Sequence, residues 1–334
     1  MRCLFVTPAL DGPTTGGTLY NQQLLAALAD CPAALSIAQS ALCSLQSTVN
    51  ADQIWIDSLY LAAVPGLRER YAAKARVGLL LHYLPSLLHT PALRSAGELS
   101  ELEQRALEAA ELIVTPSAYM RNLVSGIYPD ANCVCVMPGV RAVDLTCEEP
   151  GRRAGRALMI CNVTENKGVL PFLHALAQSV PPQASFALEI AGSLALDPAY
   201  AQACLSACER HPWLRAHVDF VGSVEPEALF IWLAEAELLV SASRMESYGM
   251  ALAEARAVGT PILALPGGNV ASHVTPESGG QLSSSYAQLA QHLCALMSDP
   301  AELRVRKARA RATIIQRSWR AAALDFIAAA NRLK

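Results

Sequence analysis

Charge is scarce in this chain of 334 residues: 16% are Asp, Glu, Lys or Arg, and they nearly cancel to a formal net charge of −3. That balance excludes a general attraction to nucleic acid, so any anion site has to be local. Long hydrophobic runs are missing too; none approaches the roughly 18–20 uninterrupted apolar residues of a membrane helix. The apolar residues, 52% of the chain, come in short runs instead. This composition excludes disorder and predicts ample core, divided by length into two domains. Met1-Arg2 passes directly into Cys3-Leu4-Phe5-Val6, too short a stretch for the apolar region of a signal peptide and better read as a first buried strand. A soluble, cytoplasmic protein without an integral membrane segment is expected, either free or peripheral to the membrane.

Ten cysteines are present, but Cys3, Cys43, Cys161 and Cys294 lie in core-like segments, so reduced thiols are expected rather than disulfides. Cys133 and Cys135 alternate as on a strand, and Cys204 and Cys208 stand one helical turn apart. Neither pair has a histidine at a zinc-site spacing, so core packing is the reading and no metal site is expected.

Two alternating series of strands and helices run along the chain. The first has strands at 2–7, 53–56, 77–81, 111–114 and 133–137, with helices at 17–30, 97–109 and 117–125. A polar stretch rich in turn formers at 144–156 reads as a linker. The second series has strands at 157–161, 186–191, 218–221, 237–241 and 261–265, with helices at 168–178, 198–209 and 226–235. Residues 299–332 are almost wholly helical in composition. The pattern predicts an α/β protein of two Rossmann-like domains facing a cleft.

The most informative segment is 237–268. An apolar strand (Leu238, Leu239, Val240) and a small-residue loop lead into Glu246-Ser247-Tyr248-Gly249-Met250, which opens a helix carrying Glu254. A glycine turn at a helix N-terminus gathers free backbone N–H groups and suits a phosphate. Two carboxylates beside such an end would be repelled by it, unless they accept hydroxyl hydrogens from a sugar and a ribose. Phosphates between two polyol-binding carboxylates describe a nucleotide-sugar site.

The Glu246-x7-Glu254 spacing with Gly249 inside it, followed by Ala255, Gly259-Thr260-Pro261 and Gly267-Gly268, resembles the signature of glycosyltransferase family 4, among the group 1 glycosyl transferases. The resemblance implies a retaining enzyme of the GT-B fold. It implies an acceptor domain over 1–150, a donor domain over 151–315 and a final helix, 316–334, crossing back to the first domain. It covers nearly the whole chain, most strongly from about 157 to 280. Glu254 would hold the ribose hydroxyls, Glu246 the sugar hydroxyls, and the backbone around Ser247, Tyr248, Gly249 and Met250 the diphosphate. Tyr248 stands where similar chains often carry Phe, and its own side chain is read as packing. Lys167, in Asn162-Val163-Thr164-Glu165-Asn166-Lys167-Gly168, matches the lysine that contacts the diphosphate. A fixed cation there stabilises charge developing on the leaving oxygen. Where the family usually has Gly-Arg this chain has Cys161-Asn162, so a second cation is missing and Asn162 offers a hydrogen bond only.

Further positions follow from the same resemblance. Gly16 and Gly17, at the end of Gly12-Pro13-Thr14-Thr15-Gly16-Gly17, match the first-domain glycine loop that lets backbone approach the substrates. His82, after the run Val77–Leu81, stands where a histidine faces the sugar. Gly222 and Val224 close the strand whose loop contacts the base. The basic stretch Arg68, Arg70, Lys74 and Arg76 could touch an anionic lipid or a phosphorylated acceptor, but a solvated helix face is the preferred reading.

The expected activity is transfer of a sugar from a nucleoside-diphosphate sugar to a hydroxyl acceptor, which could be a saccharide, a lipid-linked sugar or a small molecule. The mechanism the resemblance implies is front-side attack, with the departing phosphate taking the acceptor's proton. No Asp-x-Asp motif occurs, which disfavours the metal-dependent GT-A fold, so no cofactor and no metal are expected. The alternative is a nucleotide-sugar-binding regulatory or scaffold protein of the same fold, suggested by Cys161-Asn162. An epimerase or phosphorylase is a weaker option.

Overall fold

Short runs such as Gln53-Ile54-Trp55-Ile56-Asp57 and Leu238-Leu239-Val240 lack the polar alternation of a half-exposed strand, and all but Asp57 and Gln53 of these residues are apolar and buried. That is the pattern of strands covered on both faces by helices. In the computed structural model, which describes residues 1–8, 14–31, 35–45, 50–90, 93–141 and 155–333, every such run is a strand of a parallel sheet.

In chain order the elements are β1 (Arg2–Val6), α1 (Gly16–Ala29), β2 (Ser36–Ser40), β3 (Gln53–Asp57), α2 (Val64–Tyr71), β4 (Arg76–Leu80), α3 (Glu101–Ala109), β5 (Leu112–Thr115), α4 (Ala118–Ile127) and β6 (Cys133–Cys135). There follow β7 (Arg156–Ile160), α5 (Val169–Ser179), β8 (Ala187–Ala191), α6 (Pro198–Arg210), α7 (Pro212–His217), β9 (Val218–Gly222), α8 (Pro226–Glu235), β10 (Leu238–Ser241), α9 (Met250–Val258), β11 (Ile262–Ala264), β12 (Gln281–Leu282), α10 (Tyr286–Met297), α11 (Pro300–Ala312) and α12 (Trp319–Arg332). They form two units, 1–140 with 317–334, and 141–316.

The first sheet has the order β2-β1-β3-β4-β5-β6 and the second β12-β11-β10-β7-β8-β9. Read from its far edge, the second runs third, second, first, fourth, fifth, sixth, the order of a dinucleotide-binding fold. Strand order reverses between β1 and β3 in the first unit and between β7 and β10 in the second. In open α/β sheets ligands bind beyond the carboxyl ends of the strands at such a reversal. Residues 161–168 and 241–249 therefore occupy the favoured crevice of the second unit.

Helices line both faces of that second sheet. Ala157 and Met159 of β7 pack with Phe172, Leu173, Cys204, Leu289 and Leu293, while Leu158 between them packs with Leu233, Leu252 and Ala255. In the first unit α12 completes the core: Phe326 meets Phe5 at 5.4 Å and Trp55 at 4.7 Å between ring centroids. The Gln53 amide donates to the carbonyls of Ala330, at 2.7 Å, and Leu333, at 3.2 Å.

Trp55 lies flat over Gly78 of the neighbouring β4, where an added Cβ would strike the indole. Gly78→Ala is expected to cost about 1–3 kcal/mol, as overpacking of a filled core does. Urea unfolding followed by tryptophan fluorescence would read it; a shift within error would show that the indole can move aside.

Several sequence expectations change. Helix α3 begins at Glu101, not at 97, because Ser100 caps it with Glu103 in a capping box and 96–98 form a separate single turn. The strand expected at 133–137 ends at Cys135. The helical stretch 299–332 divides into α11 and α12: Arg256 Nη2 donates to the Thr313 carbonyl at 2.6 Å, and Ser318 caps the second helix. Strands β2 and β12 and helices α7 and α10 were not anticipated. Cys204 and Cys208 are buried on α6, with burial pushing their thiols up to about 12 and about 11. Arg68 and Arg76 both pair with Glu111, at 3.2 and 2.8 Å, which neutralises part of the basic stretch. The expected linker at 144–156 lies almost entirely outside the described residues.

Candidate functional site

In the second unit the loops after β7 and β10 are tied together at the strand reversal. Thr164-Glu165-Asn166-Lys167 winds into a single tight turn that ends at Gly168, whose φ of +66° is left-handed. A Cβ at Gly168 would strike the carbonyl oxygen of Ala242, so glycine is required both by conformation and by the approach of the two loops. From the other side the Arg244 N–H donates to the Asn166 carbonyl at 3.2 Å.

This clasp brings Lys167 to Glu246: Nζ donates to Oε1 at 2.7 Å, with the two side chains 24% and 17% exposed. Burial alone would lower the lysine's pKa, but the Glu246 carboxylate outweighs it and the net direction is up. Lys167 is held as a cation. Glu246 is fixed through its backbone as well, since its N–H donates to the Gly267 carbonyl at 3.3 Å and its carbonyl accepts from Asn269 N–H at 2.7 Å. Any Cβ at Gly268 would strike the Glu246 carbonyl, and one at Gly267 that of Arg244. The Gly267-Gly268 pair thus lets this segment lie against the Glu246 loop.

Gly249, at φ +90°, turns the chain into α9 and, lacking a side chain, makes no side-chain cap to that helix. Its first-turn N–H groups can therefore serve an anion. The Tyr248 carbonyl accepts from Asn269 Nδ2 at 2.9 Å and His273 Nε2 at 2.8 Å, and its ring stands edge-on to His273. Ser247 and Met250 flank this turn and are partly buried.

Glu254 lies one turn into α9, 9% exposed, with no hydrogen-bond partner among the described residues. Burial pushes its carboxyl up to about 7. Such a group has unused acceptor capacity, which suits a pair of hydroxyls.

Asn162 turns its amide oxygen to the Ser193 N–H at 3.0 Å, so it braces the β7 and β8 loops against each other. Beside it the Cys161 thiol is pushed up to about 12 by burial and is unsuited to nucleophilic work. Gly222 ends β9 at φ +72°, its carbonyl accepting from Gly192 N–H at 2.8 Å. Val224 packs on the apolar cluster beneath α8 and α9.

In the first unit Gly16 and Gly17 open α1 behind the Thr15 cap. Gly12 and Pro13 lie outside the described residues. A Cβ at Gly17 would meet the His82 ring at 3.2 Å, so the glycine lets that imidazole lie against the helix start. His82 is 12% exposed and its Nε2 is 2.9 Å from Asn21 Oδ1 and 3.4 Å from Asp57 Oδ2. The sequence reading missed Asp57 and Asn21. The available signal was an aspartate ending the apolar strand β3 next to the strand reversal.

Comparisons with known proteins agree with this architecture. Residues 154–299 match the family model described as glycosyl transferases group 1. Sucrose-phosphate synthase from Thermosynechococcus elongatus is 19% identical with a TM-score of 0.77, covering 99% of this chain and 98% of its own. HepE of Anabaena, solved in complex with UDP and glucose, is 16% identical with a TM-score of 0.75 over 99% and 100%. A glycosyltransferase from Rickettsia africae gives 15% identity and a TM-score of 0.73 over 99% and 98%. At such identities the likeness establishes the fold. A search of curated proteins finds no match. The family match spans β7 through α10, with the Lys167 turn, the Glu246 loop and α9 inside it. Residues 154–299 thus match the group 1 glycosyl transferases, and the chain as a whole has the GT-B fold of the glycosyltransferase structures it resembles.

Proposed function

We propose that the enzyme transfers a sugar, with retention of anomeric configuration, from a nucleoside-diphosphate sugar to a hydroxyl acceptor and needs no divalent metal. The observation that carries this reading is the Lys167–Glu246 pair at the strand reversal, beside the uncapped start of α9. Lys167 and the α9 amides hold the diphosphate, Glu246 accepts from sugar hydroxyls, and Glu254 accepts from the ribose. As the bond from the anomeric carbon to the phosphate oxygen breaks, negative charge grows on that oxygen, and the cation and amides stabilise it. The acceptor oxygen bonds to the anomeric carbon on the face the phosphate leaves, and its proton passes to the departing phosphate oxygen. Lys167 and the helix start supply the positive charge a metal would otherwise provide.

The UDP and glucose bound to HepE make a uridine nucleotide the first to test. Calorimetric titration with UDP, GDP and ADP is expected to show selective binding of one of them, weakened in Glu254→Ala. Turnover of the matching donor sugar should persist in EDTA and give a product whose anomeric proton coupling matches the donor's. Loss of turnover in EDTA with recovery on adding Mg²⁺ or Mn²⁺ would refute metal independence, and an inverted product would refute retention. A second reading, a nucleotide-sugar-binding regulatory protein, draws on Asn162 standing in place of a cation; tight nucleotide binding with neither transfer nor donor hydrolysis would favour it.

A further inference from the structure

The surroundings of His82 determine which of its ring nitrogens carries the proton. Asp57 is 1% exposed at the carboxyl end of β3. Burial would raise its pKa, but hydrogen bonds from His82, the Leu59 N–H at 2.7 Å and Asn21 Nδ2 hold it below the ordinary carboxylate value. An ionised carboxylate only accepts hydrogen bonds. Asn21 therefore turns its NH₂ group to Asp57, and its carbonyl oxygen is the atom left to face His82 Nε2 at 2.9 Å. Both neighbours of Nε2 are acceptors, so Nε2 has to be the donor. Nδ1 then carries the lone pair in the neutral ring, and no hydrogen bond to it is found among the described residues. Two further contacts hold the ring in place: Tyr20 stands edge-on to it at 4.8 Å, and the His82 backbone N–H donates to Ser58 Oγ at 3.2 Å.

We propose that Asp57 and Asn21 are positioning residues that lock His82 as its Nε2–H tautomer, so that the imidazole meets substrate through Nδ1 as a hydrogen-bond acceptor for a hydroxyl. The substrate half of this statement rests on the glycosyl-transfer reading; the tautomer does not.

The test is a long-range proton–nitrogen spectrum of the whole protein labelled with ¹⁵N-histidine, taken above the ordinary imidazole range, with the His82 signals identified by their loss in His82→Gln. The wild type should show a protonated Nε2 and a bare Nδ1, and Asp57→Asn should move His82 toward a mixture of tautomers. Asn21→Leu keeps the carboxylate and should keep the Nε2–H pattern. A wild-type ring protonated at Nδ1, or an Asp57→Asn spectrum identical to wild type, would overturn the proposal; if Asp57→Asn does not fold, loss of the pattern in Asn21→Leu would do so. In turnover assays Asp57→Asn should lower kcat/KM about tenfold, the size of one lost hydrogen bond near 1.4 kcal/mol, with nucleotide affinity unchanged. Absence of any transfer in the wild type would fail the glycosyl-transfer reading and leave the tautomer result standing separately.

Discussion

Lys167→Ala is expected to lower kcat by about 10²–10³, the loss that follows removal of one fixed group aimed at developing charge, or about 2.7–4 kcal/mol of barrier. The lysine is well placed for that effect because its position is set by backbone. The tight turn that carries it closes on Gly168 against Ala242, and its ammonium is anchored at 2.7 Å on Glu246. Without the cation, the Glu246 carboxylate stands alone and partly buried beside the diphosphate, so donor binding should weaken together with turnover. A second partly buried pair makes the control: Lys307 and Glu237 meet at 2.8 Å, each side chain 12% exposed, outside the two loops. Lys307→Ala should leave kcat unchanged while lowering stability. Steady-state kinetics on both variants decides the matter, and equal effects would mean that Lys167 acts only through folding.

Glu254→Gln should make the ligand-free protein more stable at pH 8, by about 3 kcal/mol, and leave its stability unchanged near pH 4.5. The sign follows from burial, which pushes the carboxyl up from its ordinary 4.5 to about 7 in the fold. A raised carboxyl is fully accommodated below its unfolded pKa, and its contribution is lost as pH rises through the folded value. At about 1.36 kcal/mol for each tenfold change in proton affinity, that rise gives the figure. Nucleotide binding should run the opposite way. Two ribose hydroxyls are held best by the ionised group, so wild-type affinity should fall as pH drops below about 7, and the variant should bind weakly throughout. Urea unfolding and calorimetry at pH 5 and 8 check both; a variant no more stable at pH 8 would show that Glu254 is solvated in the fold. The opposition is the expected mark of a site group, strained until its ligand arrives.

Much of this arrangement is legible in the sequence, because buried parallel strands are continuous apolar runs and the Glu246 loop follows one of them. What escaped was of two kinds. Strand β2, Ser36-Ile37-Ala38-Gln39-Ser40, is a largely exposed edge strand with neither alternation nor an apolar run, and only pairing with β1 defines it. Asp57 and Asn21 are 36 residues apart and share no local pattern, so only the fold joins them to His82. Some motif residues also prove to have work other than ligand contact. Thr260 donates to the Leu233 carbonyl at 2.6 Å and ties α9's exit to α8, and Gly267-Gly268 make room for backbone.

The first unit is not a continuous piece of chain. Its apolar face, with Phe5, Leu24, Leu28 and Trp55, is closed by Phe326 and the alanines of α12, and Gln53 hydrogen-bonds the carbonyls of Ala330 and Leu333. During synthesis, therefore, the half made first has to wait with that face open while the whole of 141–316 emerges and folds. It becomes complete only once α12 has been made, so a stop codon or proteolytic nick ahead of that helix damages a sheet built from residues 2–135.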